Sequence, residues 1–351
     1  MESIKFSDFQ VIPILNSIKR VEMDDETYFS IAYKDCVSNS RLSLVNPEQD
    51  GSGKKYFNPP RITTTSLAHG SRIHELLLQP SEFKLLPKMG RPTAKLGDVC
   101  DEIIKNRTDG MSIYKSIIEA SKKVGYYTSI IDKKIPSIIE KGLKYYLKVN
   151  EPRSKRGNVT EIILSDKDHD IVSSCLDSCY KNTQLMNKLQ PVSLFGDLIE
   201  SHNEDAMFMD YIITYKDMHV KLKFKLKIDN WTIDVENKTI TLNDLKTTSH
   251  GAEWFMYNPT GSIYKYCYYR QFYIYSYILW QYCVRRYGAC YNNGWKINCN
   301  VLVVQTTSPY TSKCYSISKS LLDRGKTEFE QLMKRVAYYQ LFGYKREVNF
   351  E

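Results

Sequence analysis

The sequence predicts an α/β fold of α+β character, with a helical middle and a sheet built mainly from its second half. Three observations carry this. Between residues 95 and 189 apolar side chains recur at three- and four-residue steps (Val99, Ile103, Ile104, then Ile113, Ile117, Ile118), the period of a helix. Beyond residue 205 the period falls to two, the signature of a strand with one buried face. Beyond residue 264 helical and strand patterns alternate.

Taken in order, residues 1–60 are mixed in pattern and form an N-terminal segment whose role the sequence does not reveal; the turn-rich stretch 47–60 (PEQDGSGKKYFNPP) predicts an exposed loop. The hydroxyls of Thr63 to Ser66 are N-cap candidates for a helix carrying Leu67, Ile73, Leu76 and Leu77, which Pro80 ends. Residues 61–351 are expected to form one functional domain, with 95–190 as a helical insertion broken by a loop at 151–157. Val220, Leu222, Phe224, Leu226 and Ile228 alternate with Lys221, Lys223, Lys225 and Lys227, so one face should be buried and the other cationic. With a turn at residues 236–238, the run 239–248 returns as the second strand of a hairpin. A Tyr-rich helix over 264–286, strands at 300–305 and 314–317 and a helix over 319–342 complete the chain.

With 351 residues, 42% of them hydrophobic and 25% charged, the chain has material for a sizeable core. The first 20 residues are broken by Lys5, Asp8 and Pro13 and carry no secretory pattern. The stretch 272–284 is interrupted by Ser276 and Gln281 and falls short of the roughly 20 residues a membrane span needs. A soluble, cytoplasmic protein is expected, with its nine cysteines reduced. The net charge of +9 is uneven: residues 122–156 hold ten Lys and Arg, among them Lys133, Lys134, Arg153, Lys155 and Arg156, against Asp132, Glu140 and Glu151. Such a surface suits a polyanion, although a solvated helix face has the same composition.

The chemistry concentrates on the returning strand, Ile240-Thr-Leu-Asn-Asp244-Leu245-Lys246-Thr247-Thr248. Residues two apart share a face, so Asp244 and Lys246 project together with the Leu245 carbonyl between them. A carboxylate and a carbonyl are hard ligands for magnesium, and an ammonium can orient water or stabilise charge on a phosphate. Alone, Asp-x-Lys also describes a surface ion pair. A turn centred on Asn237 sets Asp229 opposite Leu245, which makes Asp229 the second acid, while Asp234 falls near the turn as a solvated residue. Upstream, Gly70-Ser-Arg-Ile-His74-Glu75 adds an imidazole and an acid on the capped helix. Downstream, Gln271 and Tyr275 lie one helical turn apart.

The order GxxxHE, IDxW, NDLKTT, QxxxY resembles the PD-(D/E)XK nucleases of the RecB-like and phage exonuclease VIII (RecE-like) type, over roughly residues 62–86 and 200–345. The resemblance implies a restriction-endonuclease-like core: a mixed central sheet flanked by helices, with the helical region inserted. It assigns metal ligation to His74, Asp229, Asp244 and the Leu245 carbonyl, with Glu204 as a further acid. It gives catalytic roles to Asp229, Asp244, Lys246 and Glu75, and support or DNA contact to Gln271, Tyr275 and Thr247. It implies one or two Mg2+ or Mn2+ ions, no iron–sulfur cluster, and 5′–3′ exonuclease action on linear duplex DNA in phage-type recombination or DNA processing. Relatives work with a single-strand annealing protein and form rings. An endonuclease of the same fold, or a DNA-binding protein that does not cut, are the alternatives. Ile228 and Lys227 stand where such proteins often carry Pro and a Gly-Arg pair.

Overall fold

A strand that alternates apolar and charged side chains needs neighbours on both edges and a cover on its apolar face. The computed structural model, which describes residues 5–60, 65–88, 90–108, 110–150, 154–156, 159–191 and 199–344, shows both. The chain divides into two compact units, residues 1–67 with 178–351, and residues 68–177. In chain order the elements are β1 (Phe9–Val21), α1 (Asp25–Tyr28), α2 (Asn39–Ser43), α3 (Gly53–Phe57), α4 (Thr65–Leu78), β2 (Phe83–Leu85), α5 (Ala94–Thr108), α6 (Ile113–Val124), α7 (Ile131–Asn150), β3 (Ser154–Arg156) and β4 (Val159–Ile162). There follow α8 (Asp166–Lys181), α9 (Thr183–Leu189), β5 (Ile199–Tyr215), β6 (Met218–Asp234), β7 (Thr239–Thr248), α10 (Ser262–Lys265), α11 (Tyr268–Tyr287), β8 (Lys296–Gln305), β9 (Ser312–Ser316) and α12 (Lys319–Phe342).

The larger unit is built on a six-stranded sheet in the order β1-β5-β6-β7-β8-β9. All neighbours are antiparallel except β7 and β8, which run parallel because α11 carries the chain across between them. The sheet is mixed and flanked by helices. Its apolar face joins α11 and α12 in one core containing Phe224, Trp231, Leu242, Phe272, Ile278, Val301, Phe329 and Val336. The Tyr-rich helix is not one piece: Cys267 adopts φ +52°, ending α10 and restarting the chain as α11. The smaller unit has helices α5 to α7 packed through Val99, Ile103, Ile117, Ile135 and Ile138, and a three-stranded sheet ordered β2-β4-β3.

Four local features differ from or add to what the sequence predicts. Residues 47–60 are no open loop: a 3-10 turn at Pro47–Gln49 and α3 bury Tyr56 to 2% exposure beneath the Arg41 guanidinium, 4.7 Å from its ring. The close packing of Tyr339 and Tyr344 on Gly53 leaves no room for a side chain there. Within 151–157, Ser154–Arg156 pairs antiparallel with β4, a strand too short for periodicity to reveal. The lysine face of β6 is partly covered. Residues 24–37 lie against it, with Val37 bridging Phe224 and Lys225 donating to the Tyr28 carbonyl at 2.8 Å. Burial lowers the Lys225 pKa, and the ammonium sits 4.4 Å from the Tyr28 ring. Finally, the β6–β7 turn spans residues 235–238 symmetrically, since Asp234 pairs with Thr239, and so moves the hairpin register by one residue.

Candidate metal centre

The corrected register is what assembles the site. Asn230 pairs with Asn243 in the last rung between β6 and β7, so Asp229 faces Asp244 one step beyond it, not Leu245. On the other edge, Asn203 pairs with Asn230 and Asp205 with Ile228, which leaves Glu204 across from Asp229. Neither acidic step forms a ladder pair. Glu204 instead adopts φ +55°, and the Asp229 carboxylate accepts the Leu245 backbone N–H at 2.7 Å, replacing the bond that the strands no longer exchange. Three acids thus form a row across β5, β6 and β7.

Glu204 and Asp229 bring carboxylate oxygens within 4.8 Å of each other. Asp244 is 1% exposed; its Oδ1 accepts from Gln271 Nε2 at 2.7 Å, and its Oδ2 lies 2.5 Å from Lys246 Nζ. Among the described residues that Oδ2 takes no hydrogen bond of normal geometry. Lys227, two residues before Asp229, pairs with Glu204 at 2.7 Å and with Asp25 at 2.5 Å. Burial by itself pushes the Lys246 pKa down, but the charges of Asp244 and Asp229 outweigh it and hold the ammonium above its ordinary value. Its Nζ also lies 5.1 Å from the Tyr268 ring. The Tyr275 phenol is pushed well up by burial, and by Asp244 and Asp229 among its neighbours, so it stays a neutral hydroxyl.

Like charges directly opposite in a sheet repel. Three carboxylates here face two ammonium groups, and the surplus is negative, hard and oxygen-based, which suits a divalent cation of the Mg2+ or Mn2+ type. The residues present therefore fit the group. Beside the row, Asp205 accepts from Trp231 Nε1 and Arg20 Nε, both at 2.7 Å, which ties β1 to the strands bearing the acids.

The structure brings together Glu204, Asp229, Asp244, Leu245, Lys246 and Gln271, with Tyr275 half-buried on α11 and Thr247 half-buried on β7. His74 and Glu75 lie on α4, both half-buried, and Glu75 pairs with Arg72 at 2.8 Å. Lys133 is exposed and Lys134 half-buried on α7, the latter over the Tyr127 ring at 4.7 Å. Lys155 and Arg156 belong to β3, and Arg153 lies outside the described residues. Asp234 accepts from the Asn237 backbone N–H at 2.9 Å and caps the turn. Sequence reasoning passed over Lys227 as one of an alternating set; its place two residues from Asp229 was the available signal.

Residues 166–340 match the family described as a PDDEXK-like domain of unknown function (DUF3799). A solved structure from Eubacterium rectale, described as a candidate exonuclease, is similar over 92% of this chain and 88% of its own, at 12% identity and a TM-score of 0.44. No curated protein matches the chain. The matched residues hold the whole row of acids and Lys246 on a mixed sheet flanked by helices, and the chain belongs to the PD-(D/E)XK superfamily.

Proposed function

We propose that this protein is a metal-dependent deoxyribonuclease that hydrolyses phosphodiester bonds to a 5′-phosphate and a 3′-hydroxyl. The observation that carries the reading is the row Glu204, Asp229, Asp244 ending on the Lys246 ammonium. These carboxylates, with the Leu245 carbonyl, are the residues that would hold Mg2+ or Mn2+. His74 enters as a further ligand, and Glu75 as an acid–base group, on the strength of the GxxxHE motif. When bound, such a cation polarises a phosphoryl oxygen and makes water more acidic.

The chain's own groups do the rest. Lys246 stays protonated throughout the neutral range and stabilises negative charge on the phosphate or orients the attacking water. Gln271 fixes the Asp244 carboxylate in one orientation. Tyr275 and Thr247 offer neutral hydroxyls on the elements that carry the site. Lys133, Lys134, Arg153, Lys155 and Arg156 hold the DNA backbone. The substrate is linear duplex DNA degraded 5′ to 3′, in a phage-type recombination or processing pathway, with a single-strand annealing protein as partner and a ring as the assembly; the motif resemblance supports this. Among the described residues no helix is long and apolar enough to cross a membrane.

The test is digestion of end-labelled linear and closed circular duplexes with and without Mg2+, using the native chain and Asp244→Ala. Metal-dependent loss of linear DNA from its 5′ ends by the native chain alone is expected. Cutting of the circle identifies an endonuclease, and DNA binding without cutting by the native chain overturns the enzymatic reading. Equal cleavage by the variant removes Asp244 from the site.

A further inference from the structure

On the face of the sheet opposite to Asp244 and Lys246, a line of amides crosses four strands. Asn230 Nδ2 donates to Asn203 Oδ1 at 2.7 Å, Asn243 Nδ2 to Asn230 Oδ1 at 2.7 Å, and Asn300 Nδ2 to Asn243 Oδ1 at 2.9 Å. Ser316 on β9 and Lys188 on α9 close the line by donating to Asn300 Oδ1 at 3.2 and 3.0 Å. Asn230 and Asn243 are 0% exposed and Asn300 is 1% exposed. The same residues are direct partners in the backbone register, so the side-chain line and the strand pairing coincide.

The location is telling. Asn203 precedes Glu204, Asn230 follows Asp229 and Asn243 precedes Asp244. The backbone ladder stops between the strands at the acids themselves, where carboxylates face one another across both steps. Repulsion there favours slippage or splaying, and a slip of one residue would turn every acid to the other face. Apolar packing is non-directional and resists such a slip weakly, whereas a buried amide left without its partner is costly.

We propose that the asparagine ladder is a positioning device: Asn203, Asn230 and Asn243 lock the register of the three strands so that Glu204, Asp229 and Asp244 meet at one cation. Asn300, on a strand that carries no member of the acidic row, anchors the end of the line. The inference rests on the metal-centre reading above.

The experiment measures Mn2+ binding by calorimetry and thermal unfolding without metal, on the full chain, for the native protein, Asn243→Leu and Asn300→Leu. Both substitutions should lower the melting temperature. Only Asn243→Leu should also weaken Mn2+ binding, by about 10-fold or more, because only it releases a rung between acid-bearing strands. Should Asn243→Leu fail to fold, Asn243→Ser opens the same rung with a smaller, uncharged side chain. Unchanged Mn2+ affinity in the Asn243 variants, or equal weakening by Asn300→Leu, makes the ladder a matter of general stability and overturns the proposal. A native chain that binds no Mn2+ overturns the metal-centre reading itself.

Discussion

Replacing Asp244 by Asn tests the site through stability and chemistry together. The side chain keeps its shape and can still accept from Gln271, so the change is the loss of one charge beside the Lys246 ammonium 2.5 Å away. With Asp244 1% and the Lys246 side chain 16% exposed, the pair is largely buried, and removing one partner of such a pair costs about 3–5 kcal/mol. Asp229 nearby and the Tyr268 ring still favour the ammonium, which points to the lower end, about 3 kcal/mol. At roughly 2 °C per kcal/mol for a large domain, the melting temperature should fall by about 6 °C, and cleavage should fall to background. Adding Lys246→Met removes the stranded charge. The double variant should regain at least half of the lost stability while remaining inactive, because a buried ion pair is replaceable by apolar volume. Differential scanning calorimetry and a linear-duplex assay read both effects. A double variant less stable than Asp244→Asn, or an Asp244→Asn protein that cuts like the native chain, refutes the reasoning.

Further outcomes follow from other parts of the molecule. If the acids hold a divalent ion, Mg2+ at about 100 times its dissociation constant should stabilise the native chain by about 2.7 kcal/mol, and Asp229→Asn should abolish the metal-dependent rise in a thermal melt while unfolding normally without metal. Arg270 is 0% exposed and donates to Asn39 Oδ1 at 2.8 Å, Ser43 Oγ at 2.7 Å and Glu328 Oε1 at 2.5 Å; Arg270→Met should cost about 3–5 kcal/mol in urea unfolding by leaving Glu328 without this partner, and a loss under about 1 kcal/mol would contradict the network. In the smaller unit, burial alone would raise the Asp168 pKa, but hydrogen bonds from His69 and Ser165 lower it below its ordinary 3.8. A carboxyl with a depressed native pKa contributes stability fully above its unfolded value and loses it as pH falls through the native one. The stability gap between native protein and Asp168→Asn should therefore shrink as the pH falls below about 5; a gap that widens in acid is the contrary result.

Much of the fold was legible because it is written locally. The closing helix at Lys319–Phe342 and the two-residue alternation of β6 follow from side-chain periods that each segment carries by itself. The acids, Lys246 and Gln271 were legible as residue types at characteristic spacings. Other features depended on neighbours far away in the chain. Whether Asp229 faces Leu245 or Asp244 turns on the centre of a four-residue turn, and period two cannot tell adjacent registers apart once the turn is misplaced. The N-terminal segment offered no strand signal, because β1 is an edge strand that contains Pro13 and shifts register between Ile14 and Lys19, yet it completes the sheet beside β5.

Propensity, capping and amphipathic period act over a few residues, so the order of side chains was enough to say which segments could be helix or strand and which groups could bind a cation. That Glu204, Asp229 and Asp244 stand in one row, that Lys227 balances its far end and that buried amides line the adjoining rungs emerges from the folded sheet alone. The reason is physical: pairing between strands is selected by burial, hydrogen-bond satisfaction and charge summed over the whole sheet, and none of these sums is contained in any one segment.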